Sequence, residues 1–72
     1  MNGIQTFPKN RFGLNLYRLM ENQNVTREEL ADKMDVSERT VYYWLSDQRH
    51  PGYDQLIKLS HILSVTIDGL LF

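Results

Sequence analysis

The chain has 72 residues, 42% hydrophobic and 24% charged, with no cysteine and a formal charge of −1. A chain this short buries only about 60% of the surface that its unfolded form exposes, so it relies on closely packed helices or oligomerisation; without cysteine, a disulfide framework, a thiolate metal site and a thiol nucleophile are excluded. No apolar run approaches the ~20 residues of a membrane span, and residues 1–9 lack the basic and apolar regions of a signal peptide, so the cytoplasm is the expected compartment.

Residues 1–9 contain Gly3 and Pro8 and show no helical period, which predicts a flexible arm followed by a single domain over residues 10–72. From Asn10 onward, Phe12, Leu16, Leu19 and Met20 recur at helical spacing and predict a first helix of about 12 residues, ended by Asn22, Gln23 and Asn24. Thr26-Arg27-Glu28-Glu29 has the form of a capping box, with Val25 and Leu30 placed as its hydrophobic staple, so a second helix runs from Arg27 to about Met34. Asp35 interrupts it, and Ser37 caps a third helix with Val36 stapled to Val41. On that helix Val41, Trp44 and Leu45 share one face and Arg39, Tyr43 and Ser46 the other. Trp44 is expected in the core, its ring no platform for stacked bases.

Residues 47–52 are polar and hold the turn Pro51-Gly52. A fourth helix follows from Tyr53, with Tyr53, Leu56, Leu59, Ser60 and Leu63 in phase. Val65 and Thr66 then repeat the staple and cap before a last short helix, Ile67–Leu71. No stretch alternates with period two for long enough to make a strand. The prediction is an all-α domain of five helices. Its second and third form a helix-turn-helix, with Ala31 as the small residue at their crossing and Asp35 at the turn.

Charge is unevenly placed. Over residues 1–27 the cations Lys9, Arg11, Arg18 and Arg27 face Glu21 alone; over residues 28–38 the acids Glu28, Glu29, Asp32, Asp35 and Glu38 face Lys33 alone. The acidic run reads most simply as a solvated helix face, so the pattern permits an electrostatic footprint without requiring one.

The stretch from Val25 through Ser37, continued by Thr40-Val41-Tyr42-Tyr43-Trp44, Gln48-Arg49-His50-Pro51, Leu56-Ile57-Lys58-Leu59 and residues 63–71, resembles the Xre/Cro type of phage-repressor-like helix-turn-helix regulators. The resemblance covers roughly residues 11–71 and implies a compact five-helix, lambda-repressor-like DNA-binding domain. Five positions depart from the family pattern. The Arg late in the first helix and its Glu partner at the end of the third correspond to Met20 and Leu45. Replacing both halves of such a pair is often neutral, whereas losing one costs about 3–5 kcal/mol, so the two changes are mutually consistent. The glycines after the second and third helices correspond to Asp35 and Asp47, residues that enter the left-handed backbone region more readily than most. In addition, Arg27 stands where the family often has Gln.

What the resemblance implies is a repressor-like transcriptional regulator that binds double-stranded operator DNA, with the third helix in the major groove. Carried over by position, Glu38, Arg39 and Tyr43 are the base-reading candidates: Arg for guanine, Glu for cytosine, Tyr for a thymine methyl or a phosphate. Arg27, Ser37, Tyr42, Ser46 and Arg49 are the backbone candidates, and Lys9 and Arg11 are arm contacts. A homodimer would read two half-sites about one DNA turn apart.

Other constellations carry less. His50 and His61 lack the spacing of a metal pair, Ser60-His61 adjacency is no nucleophile–base geometry, and the four glycines form no phosphate loop. No metal, cofactor, small-molecule ligand, membrane contact or catalysis is expected. Leu14 and Tyr17 project away from the core stripe, and Leu70-Leu71-Phe72 are apolar. These last residues either fold back over the first helix or contribute to self-association. The rival to DNA binding is a helix-turn-helix scaffold used as a protein-interaction module, through the acidic stretch and these apolar side chains. Arg27, Arg39 and Arg49 on one surface with Tyr43 would favour DNA; Glu28 and Asp32 interleaved among them would favour the module.

Overall fold

In the computed structural model, which describes residues 11–72, short-range capping bonds set the helix starts. The helices are α1 (Phe12–Gln23), α2 (Arg27–Met34), α3 (Glu38–Leu45), α4 (Tyr53–Leu63) and α5 (Ile67–Leu71), with no strand among the described residues. The predicted arm, and Lys9 with it, lies outside the described residues. Thr26 Oγ1 accepts the Glu29 N–H at 3.0 Å while Glu29 Oε1 accepts the Thr26 N–H at 2.9 Å, completing the capping box at α2. Ser37 accepts the Thr40 N–H at 3.1 Å and Thr66 accepts the Gly69 N–H at 3.0 Å, capping α3 and α5. At α4, where Gly52 has no side chain to offer, Gln55 Oε1 reaches back to the Gly52 N–H at 3.0 Å. Hydrogen bonds from the Thr26 backbone and then its side chain hold the Glu29 carboxyl below the ordinary glutamate range.

The C-terminal ends turn through left-handed residues: Asn24 (φ 56°) after α1, Asp35 (φ 59°) after α2 and Ser64 (φ 56°) after α4. Asp47, with φ 59°, does the same just beyond α3. Both aspartates thus take the conformation expected where the family has glycine. Asp47 also has a second role that the sequence reading did not supply. Its Oδ1 accepts the N–H of Gly13, 34 residues earlier, at 3.1 Å. α1 has no side-chain cap of its own at Arg11, and it begins at Phe12 with this distant carboxylate at its first turn. Gly13 is buried, and a Cβ there would run into the Leu45 carbonyl oxygen and the Asp47 carboxylate.

The core gathers Phe12, Leu16 and Met20 from α1, Leu30, Ala31 and Met34 from α2, Val41 and Trp44 from α3, Leu59 and Leu63 from α4, and Leu70 from α5. α2 packs on α3 and α4, while α1 touches α3, α4 and α5. Trp44 is buried, as expected. Tyr53, expected in the core phase of α4, is instead 70% exposed. Burial rises along that helix, from half-buried Leu56 to buried Leu59, Ser60 and Leu63, so its first turn projects beyond the core. Correct phase alone does not bury a residue at a helix end that has no neighbour over it.

The chain's last residues close onto α1. The Arg11 N–H donates to the Leu71 carbonyl at 3.1 Å and the Asn15 side-chain amide to the Leu70 carbonyl at 3.0 Å. Gln23 similarly donates to the Leu63 carbonyl at 2.8 Å. Leu70 joins the main core and Leu71 packs against it, while Leu14, Tyr17 and Phe72 stay exposed. Met20 is buried and Leu45 is half-buried against the core, so the positions of the family's ion pair are both apolar contacts here. Among the described residues no helix is long and apolar enough to cross a membrane.

Gly13→Ala is expected to lower stability by about 1–3 kcal/mol through overpacking against backbone, read by urea denaturation; an unchanged midpoint would show that the α1–α3 approach is loose. The two left-handed aspartates should respond oppositely to glycine. Asp35→Gly relieves a strained backbone and gains about 1 kcal/mol. Asp47→Gly leaves the buried Gly13 N–H without its acceptor, a cost of about 1–3 kcal/mol that cancels or exceeds the same relief. Equal gains at both sites would show that the Asp47 bond contributes nothing.

The lowered Glu29 carboxyl sets a pH dependence. Its contribution is present above the unfolded value of about 4.3 and is lost as pH falls through the lower folded value. Between about pH 6 and pH 3, the wild type should therefore lose more stability than Glu29→Gln does; parallel curves would remove the capping box from the acid response.

Candidate nucleic-acid interface

α3 carries the densest set of predicted contacts, because a helix only two turns long buries Val41 and Trp44 and leaves the rest of its circumference outside. Glu38 and Arg39 are exposed in its first turn, and Tyr43, four residues after Arg39 and on the same face, is half-buried. The Arg49 guanidinium carbon lies 5.1 Å from the centroid of the Tyr43 ring. Backbone geometry brings it there: past the left-handed Asp47, the N–H groups of Gln48 and Arg49 both donate to the Tyr43 carbonyl, at 3.0 and 3.3 Å. Arg39, Tyr43 and Arg49 therefore form one row along the outer side of α3.

A second grouping lies beside it. Arg27, Tyr42 and Ser46 line an open groove of about 750 Å³ together with Tyr17, Met20 and Leu45. Tyr42 joins the two groupings, its ring 6.0 Å from that of Tyr43. Glu21 also lines the groove, whereas Glu28 and Asp32 do not. By helical rotation of about 100° per residue, those two acids point well away from Arg27. Of the three arginines, Arg27 lines the groove and Arg49 lies over the Tyr43 ring, and neither Glu28 nor Asp32 lines that groove.

The serines are more committed than the sequence suggests. Ser37 Oγ holds the Thr40 N–H and lies 3.0 Å from the Thr40 hydroxyl. Ser46 Oγ donates to the Tyr42 carbonyl at 3.0 Å and accepts from the Gln48 side chain at 2.9 Å. Its proton is used within the chain, so what Ser46 offers a ligand is limited to its remaining lone pair. Arg11 stands exposed at the start of α1, outside the groove, with its backbone N–H bonded to Leu71. His50 lies 3.2 Å from Asp47 Oδ1 and meets the edge of the Phe12 ring at 6.1 Å between centroids. Among the described residues, no group of three or more His, Cys, Asp or Glu side chains is placed to hold a metal ion.

Two members of this surface were not predicted as contacts. Tyr17 shares the groove with Arg27, and its exposure was foreseeable from its phase on α1; Gln48 reaches Ser46 only because Asp47 reverses the chain.

The helix-turn-helix family model matches residues 16–70. The chain is 37% identical over 60 residues to the HTH-type transcriptional activator BcrR of Enterococcus faecalis, covering 83% of this chain and 29% of that protein. It is 32% identical over 60 residues to the uncharacterized HTH-type transcriptional regulator YqaE of Bacillus subtilis (strain 168), covering 83% and 52%. A crystal structure of a transcriptional regulator from Listeria innocua superposes with a TM-score of 0.84 at 30% identity, covering 89% of this chain and 60% of that one. The type II methyltransferase M.Sau96I of Staphylococcus aureus also matches, at 36% identity over 53 residues and only 12% of its length. The match to that enzyme is thus confined to a small part of it, and the chain spans about half or less of the length of these curated relatives. With the five-helix fold, the matched span and the named regulators in agreement, the chain belongs to the Xre-like helix-turn-helix family of transcriptional regulators.

Proposed function

We propose that this domain is a cytoplasmic, sequence-specific DNA-binding regulator of transcription that acts as a homodimer on a two-fold symmetric operator. The observation that carries the reading is the arrangement around α3: Arg27 in the groove beside Tyr42, and Arg39, Tyr43 and Arg49 in one row, with Glu28 and Asp32 outside the groove. In this reading α3 enters the major groove, with Glu38, Arg39 and Tyr43 toward base edges. Arg27, Ser37 and Tyr42 follow the backbone, Arg49 lies where a phosphate or a base edge would meet it, and the arm contributes Lys9 and Arg11. Exposed Leu14 on α1 supplies apolar surface for pairing. Binding needs no cofactor or metal. Occupying an operator that overlaps a promoter excludes polymerase, which is the repressor-like mode; the Enterococcus faecalis relative is named an activator, and operator position decides between the two.

Selection of random duplex DNA by the purified protein tests the proposal. A two-fold symmetric sequence should be enriched. Arg39→Ala should relax preference at one position at a cost of about 1–3 kcal/mol, while Arg27→Ala should weaken all sequences alike. With four or five cations per subunit on phosphates, the dimer's log–log salt slope should be about −7 to −9. Uniform loss from both substitutions would remove the base-reading role of Arg39. No enrichment by folded protein would favour the protein-interaction module, with capture of a partner as its own test.

A further inference from the structure

The stack of Arg49 on Tyr43 divides the labour of the α3 surface differently from position-by-position expectation. We infer that Arg49 is a specificity-determining residue that reads a guanine edge, and that Tyr43 is its positioning residue rather than an independent reader; this rests on the DNA-binding reading above.

Three observations lead there. First, Arg49 is held to the side of α3 by its backbone. Its N–H and that of Gln48 both end on the Tyr43 carbonyl, at 3.3 and 3.0 Å, so the chain after Leu45 folds back along the helix it has just left. Second, the guanidinium carbon sits 5.1 Å from the Tyr43 ring centroid. A guanidinium is planar and keeps its N–H groups in that plane, and holding its carbon over the ring restricts where they can point. Among the described residues Arg49 forms no ion pair, so none of those donors is held by a carboxylate. Third, Tyr43 follows Arg39 by four residues on the same helix face, which makes Arg49 the far end of a row whose near end is Arg39.

A planar guanidinium held beside α3 suits the paired acceptors O6 and N7 of guanine, which need two parallel N–H groups in one plane. A phosphate on the flank makes no such demand and would be met as well by an unstacked side chain. Tyr43, half-buried and with its ring occupied by Arg49, has little surface left for a thymine methyl. Its contribution is to keep Arg49 in place. Cation–π attraction at an exposed site favours the stacked arrangement by about 2- to 5-fold, whereas a bidentate guanine contact discriminates by about 5- to 150-fold. Removing the ring should therefore weaken discrimination less than removing the arginine, and at the same base pair.

The test is random-duplex selection, followed by affinity measurements on the enriched site and its single-base variants. Wild type is compared with Arg49→Ala, Arg49→Lys, Tyr43→Ala, Tyr43→Phe and Arg39→Ala, each checked for native helicity by circular dichroism. Arg49→Ala is expected to lose about 5- to 150-fold discrimination at one base pair per half-site, different from the pair relaxed by Arg39→Ala. Tyr43→Ala should lose about 2- to 5-fold at the pair read by Arg49, and Tyr43→Phe, which keeps the ring, should change little. Arg49→Lys keeps the charge and the salt slope but not the planar fork, so it should lose the preference. The inference is overturned if Arg49→Ala weakens every duplex alike and shrinks the salt slope, as a phosphate contact would. It is also overturned if Tyr43→Ala relaxes a base pair other than Arg49's. If wild type enriches a site and only Arg39→Ala relaxes it, this inference falls alone; if wild type enriches nothing, the DNA reading falls and takes this inference with it.

Discussion

The arrangement depends on one close approach. At the start of α1, Gly13 lies against the backbone at the end of α3 and gives its N–H to the Asp47 carboxylate. No side chain fits between the two segments, so the distance between α1 and α3 is set by backbone, not by a compressible rotamer. The same Asp47 is in the left-handed conformation that turns the chain back along α3, and His50 leans on its carboxylate and on the Phe12 ring. A single residue thus caps α1, reverses the chain and delivers Gln48 and Arg49 to the Tyr43 carbonyl. The position of the outer cation on the candidate interface follows from how α1 is seated.

The apolar pair Met20 and Leu45 acts on the same junction by a different route. The resemblance places an Arg–Glu pair there in the family, an interaction whose desolvation cost can offset its attraction. In this chain the contact is dispersion and burial, and neither is screened by salt. The junction between α1 and α3 should hold its geometry across ionic strengths.

What the sequence reveals and what it conceals divide along the range of the interaction. Thr26–Glu29, Ser37–Thr40 and Thr66–Gly69 are bonds across three residues, and each reads directly from residue type and spacing. The left-handed turn at Asp35 reads from the demands of the helix-turn-helix, and that at Asp47 from the glycine that the resemblance places there, whereas the same conformation at Ser64 has no such signal. By contrast, Asp47 to Gly13 and the amide bonds of Asn15 and Gln23 to Leu70 and Leu63 span 34, 55 and 40 residues, and nothing in the spacing announces them. Tyr53 shows the converse failure, in phase with the core yet beyond its edge. At the candidate interface, the exposure of Glu38 and Arg39 followed from helical phase. The engagement of the Ser46 hydroxyl and the stacking of Arg49 did not, since both depend on where the reversed chain travels after α3.

The latch between α5 and α1 bears on how the domain is made. The Leu70 and Leu71 carbonyls hold Asn15 and Arg11, and Leu70 completes the core that α1 enters. During synthesis α1 is made first, and its bonds to the Leu70 and Leu71 carbonyls must wait for the last helix. Contacts of such long sequence separation form late, so the nascent domain carries an exposed apolar face on α1 until nearly the whole of this segment has been translated. The dependence gives nascent-chain quality control a simple criterion. A product that stops short of residue 70 retains α3 but lacks Leu70 over α1 and the two carbonyls that hold Arg11 and Asn15, leaving that end of α1 less covered for chaperones and proteases to find.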